Sequence, residues 1–315
     1  MKDHIIKLLS YDKFISGEEI ARELGVSRTA IWKQVDVLRK QGYHIESIRH
    51  KGYRLVSNPD IPLPYEIENR LHTKIIGKKI FYFPQIHSTN NYAKELVKKE
   101  FSDGIIIVSD EQTKGRGRKN RSWHSPKGGL WFSIIVHPDI PPNNGMILTM
   151  AVSNSIVKTI RKMTGLNPVI KWPNDILINN KKVCGVLTEL DAEIDQINYA
   201  IIGIGINVNN KINPDLSSIA TSLKSSFGKK VSRVELLSLI LTYFDDYYQQ
   251  IKSRNFELIR KNWLQYSNII GKTIVVQGEK AKVKGIVEDI DETGCILLQT
   301  PNGINRILTG DIEYI

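Results

Sequence analysis

Ser16-Gly17-Glu18-Glu19-Ile20-Ala21-Arg22-Glu23-Leu24-Gly25-Val26-Ser27-Arg28-Thr29-Ala30-Ile31 sets the architecture of residues 1–60. Ser16 can accept from the free N–H groups of a first turn and Glu19 can reach back, which is a capping box. Ile20, Ala21 and Leu24 then form an apolar face, and Gly25 sits where a left-handed residue ends a helix. Ser27 can cap a second helix in which Ile31, Val35 and Leu38 repeat at helical spacing until Gly42. Two helices joined by a short turn make a helix-turn-helix. Tyr43–Ile48 and Tyr53–Val56 read as strands joined by Arg49-His50-Lys51-Gly52, a basic hairpin that would be the wing of a winged helix.

With Ile31, Val35 and Leu38 turned inward, the opposite face of the second helix carries Arg28, Thr29, Trp32, Lys33 and Asp36. Residues near the N-terminus of such a helix meet base edges in the major groove. The expected DNA-binding residues are therefore Arg28, Thr29, Trp32 and Lys33, with Arg49, His50 and Lys51 of the wing reaching backbone or minor groove. A charged helix face can be merely solvated, and a winged helix can dock protein instead. The order of capped helices, turn and basic wing favours DNA.

Outward from this unit, Pro59, Pro62 and Pro64 crowd together, and such density breaks helices and stiffens a chain, so a boundary is expected there. Residues 65–268 mix strand candidates (Ile105–Ser109, Trp131–Val136, Val169–Trp172, Ile176–Ile178, Val183–Leu190, Tyr199–Val208) with helix candidates (Asn90–Lys99, Met146–Met163, Arg233–Ser253, Phe256–Tyr266). Short turns such as Asn179-Asn180-Lys181 between strands favour a mixed or antiparallel sheet with packed helices over a doubly wound parallel one. Residues 270–315 are short strands punctuated by Gly278, Gly285, Gly294 and Gly303, the pattern of a small β-barrel. The expectation is an α+β protein of three domains.

A chain of 315 residues with 41% apolar and 24% charged residues has enough apolar material for real cores. No stretch is long enough to span a bilayer, and Met1-Lys2-Asp3-His4 opens no secretory signal, so a cytoplasmic protein is expected. Cys184 and Cys295 are far apart and have no CxxC partner, which excludes a disulfide framework, argues against zinc and leaves two small buried residues. A net charge of +11 favours polyanionic partners only if it sits on a recognisable element.

Such an element is Asp110-Glu111-Gln112-Thr113-Lys114-Gly115-Arg116-Gly117-Arg118-Lys119-Asn120-Arg121-Ser122-Trp123, which leaves the end of a buried strand. Glycines let backbone approach a ligand, arginines hold phosphate or carboxylate in charge-assisted bonds, and Trp123 could stack on a base. It is not a Walker A loop. A flexible basic loop that touches nothing would be a self-repelling segment, so a nucleotide-binding loop is the better reading. Further on, Lys171-Trp172-Pro173-Asn174-Asp175 precedes Lys182, a lysine at the start of an otherwise apolar strand beside Gly185. Lys182 either snorkels to solvent or points at an anion; Asp175 either holds Mg²⁺ or makes a turn. Gly203-Ile204-Gly205-Ile206-Asn207 lies inside a strand with Val208 where a third glycine belongs, so it is no dinucleotide fingerprint; it marks a bulge or a ligand against the backbone. His87-Ser88-Thr89-Asn90 alone reads as a helix N-cap.

These four segments, in this order and behind a winged helix, resemble the biotin–protein ligases in the bifunctional bacterial form that is also a biotin operon repressor. The resemblance runs over essentially the whole chain, and GRGR followed by KWPND and a lysine shortly before a glycine is specific to that family. It implies a class II synthetase-like central fold, an SH3-like C-terminal barrel, and AMP-forming biotin–[biotin carboxyl carrier protein] ligase activity using ATP and Mg²⁺. By resemblance, Ser88, Thr89, Asn90 and Gln112 hold the ureido ring side of biotin, and Gly115, Gly185, Gly203 and Gly205 line its pocket. Arg116, Gly117 and Arg118 belong to a loop that closes over carboxylate and α-phosphate. Arg121 contacts phosphates, Trp123 covers adenine, and Asn174 and Asn207 bind ATP or its magnesium, Asn207 being the candidate metal contact. Lys182 is the essential active-site lysine, and Asp175 lies near the acceptor lysine. Ala220-Thr221-Ser222-Leu223 through Phe227 matches the adenosine-side loop. Biotinyl-5'-AMP is implied as both intermediate and corepressor, promoting a homodimer that binds operator DNA. The competing readings are a lipoate–protein ligase, against which GRGR and KWPND argue, and a non-catalytic biotin-sensing transcription factor, against which Lys182 and the arginines argue.

Overall fold

The computed structural model describes residues 1–315 apart from 1, 10–12, 101 and 278–281, so the expected barrel glycine Gly278 lies outside the described residues. The chain forms two compact units, Met1–Ile61 and Pro62–Ile315.

In the first unit, α1 (Lys2–Leu8), α2 (Gly17–Leu24) and α3 (Arg28–Lys40) are followed by β1 (His44–Ile48) and β2 (Gly52–Ser57), an antiparallel hairpin. Ser16 Oγ accepts from Glu19 N at 3.0 Å. The return bond of the expected capping box, from the Glu19 carboxylate to Ser16 N, is absent among the described residues, so a single bond caps α2. Gly25 takes φ 65° and ends α2, and Ser27 Oγ accepts from Ala30 N at 3.2 Å to start α3. Ile5, Ile20, Ile31, Val35, Leu38, Ile45 and Leu55 are buried together as the unit's apolar residues. Gly52, at φ 100°, is required: a Cβ there would stand 2.0 Å from the carbonyl oxygen of Ile15, which pairs with Tyr53 as an extra rung of the wing.

The second unit runs α4 (Pro64–Glu68), β3 (Lys79–Phe83), α5 (Thr89–Val97), β4 (Ile105–Ser109), β5 (Leu130–Val136), α6 (Met146–Thr164), β6 (Val169–Lys171), β7 (Asp175–Ile178), β8 (Lys181–Ala192), β9 (Ile197–Ile206), α7 (Leu223–Phe227), α8 (Arg233–Lys252) and α9 (Glu257–Ser267). Pro64 opens α4 at its first turn, where a missing N–H costs nothing, so the third of the crowded prolines starts a helix and does not break one. Seven strands form a mixed sheet in the order β3-β4-β5-β9-β8-β7-β6, with only β3 and β4 parallel. Every residue of β4 and β5 is buried, because helices cover both faces there. Ile106, Val108, Phe132 and Ile134 pack into the larger core with α6 and α8, while Ile105, Ile107, Ile135 and Ile201 face Ala93 and Leu96 of α5. Lys181 and Lys182 already belong to β8; the turn before them is carried by Asn179 and Asn180, both with positive φ.

The C-terminal segment adds β10 (Thr273–Gln277), β11 (Lys282–Ile290), β12 (Ile296–Thr300), β13 (Gly303–Ile307) and β14 (Asp311–Tyr314), an antiparallel five-stranded sheet in the order β13-β12-β11-β10-β14. Trp172 Nε1 donates to Gly294 O at 3.2 Å, tying the KWPND segment to this sheet within the same compact unit. Both cysteines are buried and free. No helix among the described residues is long and apolar enough to cross a membrane.

Candidate active site

Antiparallel pairing sets Gly185 opposite Gly205, Leu187 opposite Gly203 and Glu189 opposite Ile201, so alternate residues of β8 and β9 share one face. On the neighbouring strand, Ser133 pairs with Gly203 on that face. The face floors a cavity of about 370 Å³ walled by Ser88, Thr89 and Asn90 at the start of α5, by the 110–123 segment, and by Asn207 with the 210–220 segment.

The glycines of the floor are obligatory for the protein's own packing. A Cβ on Gly203 would stand 2.2 Å from Asn90 Oδ1, and one on Gly205 would stand 2.4 Å from Trp123 Nε1. The Trp123 indole thus lies on the floor, over Gly205 and beside Gly185, with its Nε1 buried and without a partner among the described residues. Gly115 differs from expectation: it does not line the cavity. A Cβ there would meet Trp123 O at 2.5 Å and Ser125 Oγ at 2.7 Å, so this glycine lets the hairpin close.

The Gly–Arg segment is a hairpin. Trp123 N donates to Gly115 O and Gly117 N to Arg121 O, with a 3₁₀ turn at Arg118–Asn120 between them. Its cations are held from outside the hairpin. Arg116 Nη2 contacts both oxygens of Glu189 at 3.2 and 3.3 Å. Arg118 donates to Asn174 Oδ1 at 3.1 Å and to Thr309 Oγ1 at 3.1 Å. Lys119 and Arg121 both reach Asp311 Oδ2, at 3.1 and 2.8 Å. Burial pushes the Asp311 carboxyl up, but the bonds from Lys119 and Arg121 outweigh it and hold it below the usual aspartate range.

Lys182 Nζ lies 2.6 Å from Asp175 Oδ1, an ion pair without the alignment of a hydrogen bond, and 5.1 Å from the Trp123 ring centre. Both alternatives left open for Lys182 resolve here to an anion, namely Asp175. The backbone of Lys182 pairs with Ile219 O and Thr221 N, which stitches the 219–222 segment beside β8. Asn174 clips β7 to β8 through Val186 O at 2.6 Å. Asn207 Oδ1 accepts from Asn210 at 3.0 Å.

At the other end of the cavity a polar chain is complete. Ser88 caps α5. Gln112 Oε1 accepts from Thr89 N at 2.8 Å, and its Nε2 donates to Ser125 Oγ at 2.9 Å. Ser133 Oγ lies 2.7 Å from Thr89 Oγ1 and donates to Asn90 Oδ1 at 2.6 Å. Asn90 Nδ2 donates to Glu189 at 2.9 Å, and Lys94 Nζ reaches the same carboxylate at 2.8 Å. The HSTN segment is therefore more than an N-cap.

Of the expected pocket residues, all but Gly115 meet around one cavity. Glu189, Lys94 and Asp311 were not anticipated. Glu189 is two steps from Leu187 and four from Gly185 on one face of β8, a spacing readable once β8 is known; Asp311 is 190 residues from Arg121 and carried no local signal.

No cluster of three His, Cys, Asp or Glu among the described residues could hold a metal ion. With Asn207 Oδ1 engaged by Asn210 and Asp175 by Lys182, the donor set does not fit a resident Mg²⁺.

In the first unit, Arg28, Thr29, Trp32 and Lys33 are exposed on one face of α3, Trp32 at 59% of its area, and Arg49, His50 and Lys51 are exposed at the wing tip. The remaining polar residue of that face, Asp36, pairs with Lys40 at 2.8 Å.

Three family models match the chain: an HTH domain over residues 2–54, the biotin/lipoate A/B protein ligase family over 82–207, and the biotin protein ligase C-terminal domain over 269–314. The chain is 41% identical to the bifunctional ligase/repressor BirA of Bacillus subtilis, over 99% of this chain and 98% of that protein. It belongs to the bifunctional biotin ligase/repressor family. The BirA protein of Escherichia coli is 26% identical over 99% of this chain and 98% of its own. Among solved structures, the biotin protein ligase of Aquifex aeolicus in complex with biotin and ATP aligns with a TM-score of 0.65 and 31% identity, over 76% of this chain and 99% of that one. Its ligands make the cavity of this ligase/repressor family member the place to seek biotin and nucleotide.

Proposed function

We propose that the chain activates biotin with ATP to biotinyl-5'-AMP, transfers the biotin to a lysine of a biotin carboxyl carrier protein, and represses biotin genes with the adenylate as corepressor. The observation that carries this reading is a cavity with a glycine floor, a complete polar chain at one end and an arginine hairpin plus Lys182 at the other. A carboxylate is a poor acyl donor to an amine. Attack of its oxygen on the α-phosphorus, with pyrophosphate leaving, makes a mixed anhydride. The two reactants repel, so positive charge must stand where negative charge builds up. Arg116 meets the carboxylate, Lys182 the α-phosphate, and Arg118 and Arg121 the remaining phosphates. Mg²⁺ enters with ATP as its counter-ion. Ser88, Thr89, Asn90 and Gln112 bind the ureido end, and Trp123 moves from the glycine floor to cover adenine. The anhydride must be kept from water, which is the work of the hairpin once it closes. Asp175, freed of Lys182, takes the proton of the incoming amine.

Arg28, Thr29, Trp32, Lys33 and the wing residues bind operator DNA, and the adenylate favours a homodimer that sets two winged helices on a palindrome. The protein works in the cytoplasm. Incubation with biotin, ATP and Mg²⁺, with and without a carrier domain, tests the chemistry by mass spectrometry: biotinyl-AMP and labelled carrier are expected. Binding of biotin with neither product would leave a sensor without catalysis, and preference for lipoate in competition would make it a lipoate ligase. Sedimentation with and without the adenylate tests the dimer; equal association in both would refute the corepressor role.

A further inference from the structure

The geometry points to Glu189 as a positioning residue. We propose that it holds Arg116 in the ligand-free pocket and surrenders it to the substrate carboxylate, while Lys94 remains as its standing counter-ion. This rests on the reading of the cavity as the site of an acid substrate. Glu189 has three partners of unequal quality. Lys94 at 2.8 Å and Asn90 at 2.9 Å are at full charge-assisted distance, whereas Arg116 stands off at 3.2 and 3.3 Å. Arg116 is also the partner with most still to gain. Its guanidinium carries five N–H groups, and its Nε is buried with no partner among the described residues. Its side chain is one-third exposed, at 33%, on the cavity wall.

Exchange is cheap only because Glu189 is not stranded by it. A half-buried carboxylate that loses its last cation is strongly penalised. Here Lys94, from α5, and the Asn90 amide stay in place when Arg116 turns away. The same contact orients Asn90, whose Nδ2 points to Glu189 and whose Oδ1 faces Ser133, so the amide cannot flip. Two cations against one carboxylate leave this end of the cavity with one positive charge, which attracts a single incoming carboxylate.

The test is titration calorimetry of the full-length protein with biotin and with biotinol, in which the carboxylate is replaced by an alcohol. Glu189→Gln keeps an acceptor for Asn90 but frees Arg116; biotin should bind about fivefold tighter, the size of a partly exposed ion pair no longer to be broken, with biotinol changed less than about twofold. Lys94→Met leaves Glu189 dependent on Arg116; biotin should bind about tenfold weaker and biotinol hardly differently. The double variant should return biotin to the Glu189→Gln level. A purely structural role would move both ligands together, so equal loss for biotin and biotinol in either variant, or weaker biotin binding by Glu189→Gln, overturns the exchange. Failure of the unsubstituted protein to bind either ligand would instead overturn the reading of the cavity, and the exchange with it.

Discussion

Gly205→Ala is the sharpest probe of what the glycine floor is for. The new Cβ would stand 2.4 Å from Trp123 Nε1 and 2.7 Å from Trp123 Cε2, distances that real Cβ atoms do not show. Gly205 does not need a left-handed backbone, so the cost is purely steric. Its neighbour is a rigid ring on the hairpin, not the free end of a flexible chain. Either the indole leaves the floor or β9 shifts, and overpacking of this kind costs about 1–3 kcal/mol. The second route is worse, because β9 is paired on both sides, with β5 and β8. The indole should therefore be expelled, taking its contact with Gly185 and the cation–π contact with Lys182 along. Urea unfolding of Gly205→Ala, Trp123→Ala and the double variant forms a cycle. The double variant should recover most of the Gly205→Ala loss, with a coupling above about 1 kcal/mol. Additive losses would refute the argument that Gly205 is small on account of Trp123, and would return the glycine to a purely ligand-facing role.

Lys182→Ala should lower single-turnover adenylate formation by about 10²-fold or more while biotin still binds; a normal rate removes Lys182 from the mechanism. Asp175→Asn should slow transfer from preformed adenylate to the carrier more than it slows adenylate formation, and equal effects on both steps would refute its role as proton acceptor. Asp311 titrates below its ordinary value of 3.8, so its tie to Lys119 and Arg121 is present above that value and is lost only as pH falls through the lowered folded pKa. Hydrogen exchange of residues 116–122, corrected for intrinsic rates, should stay slow at pH 4 in the parent and be fast at every pH in Asp311→Asn; equal protection in the two proteins would refute the tie. Gly52→Ala combines a forbidden φ with a contact 2.0 Å from Ile15 O, so operator binding should be lost while biotin transfer stays within about twofold, and parallel loss of both would refute independent units.

The winged unit was legible because its signals are local. Ser16, Gly25 and Ser27 each act within a few residues, and helical spacing of Ile31, Val35 and Leu38 names the buried face. The cavity residues were legible by another route: GRGR and KWPND resemble known ligases, and the pairing of β8 with β9 brings Gly185, Gly203 and Gly205 to one face. What could not be read were partners set by tertiary distance. The 110–123 segment reads as a free basic loop because its anions, Glu189 and Asp311, come from strands 73 and 190 residues away. Gly115 was assigned to the pocket because a glycine next to arginines looks like ligand space; its real neighbour is the far arm of its own hairpin. The half-made capping box at Ser16 shows the opposite limit, since a motif supplies both residues but only the backbone N–H was bound to need its bond.

Charge arithmetic links these observations. Lys94, Arg116, Arg118, Lys119, Arg121 and Lys182 stand against Asp175, Glu189 and Asp311, an excess of three positive charges, yet each cation except Arg118 has a carboxylate within about 3.3 Å, and Arg118 has one at 3.8 Å. That pairing is how an arginine-rich hairpin can be ordered without a ligand, where unpaired cations at this density would repel. It also means that an anionic substrate gains cations by exchange, and the carboxylates left behind differ. Glu189 keeps Lys94. Asp311 can keep Lys119 if only Arg118 and Arg121 turn to phosphate. Asp175 has Lys182 alone, so when that lysine moves to the α-phosphate, Asp175 becomes the one carboxylate at the reacting end without a cation. A carboxylate stripped of its cation has a raised proton affinity, which is the property a group needs to accept the proton of an attacking amine. On this reading, activation of the acid and preparation of the base for transfer are one movement of Lys182.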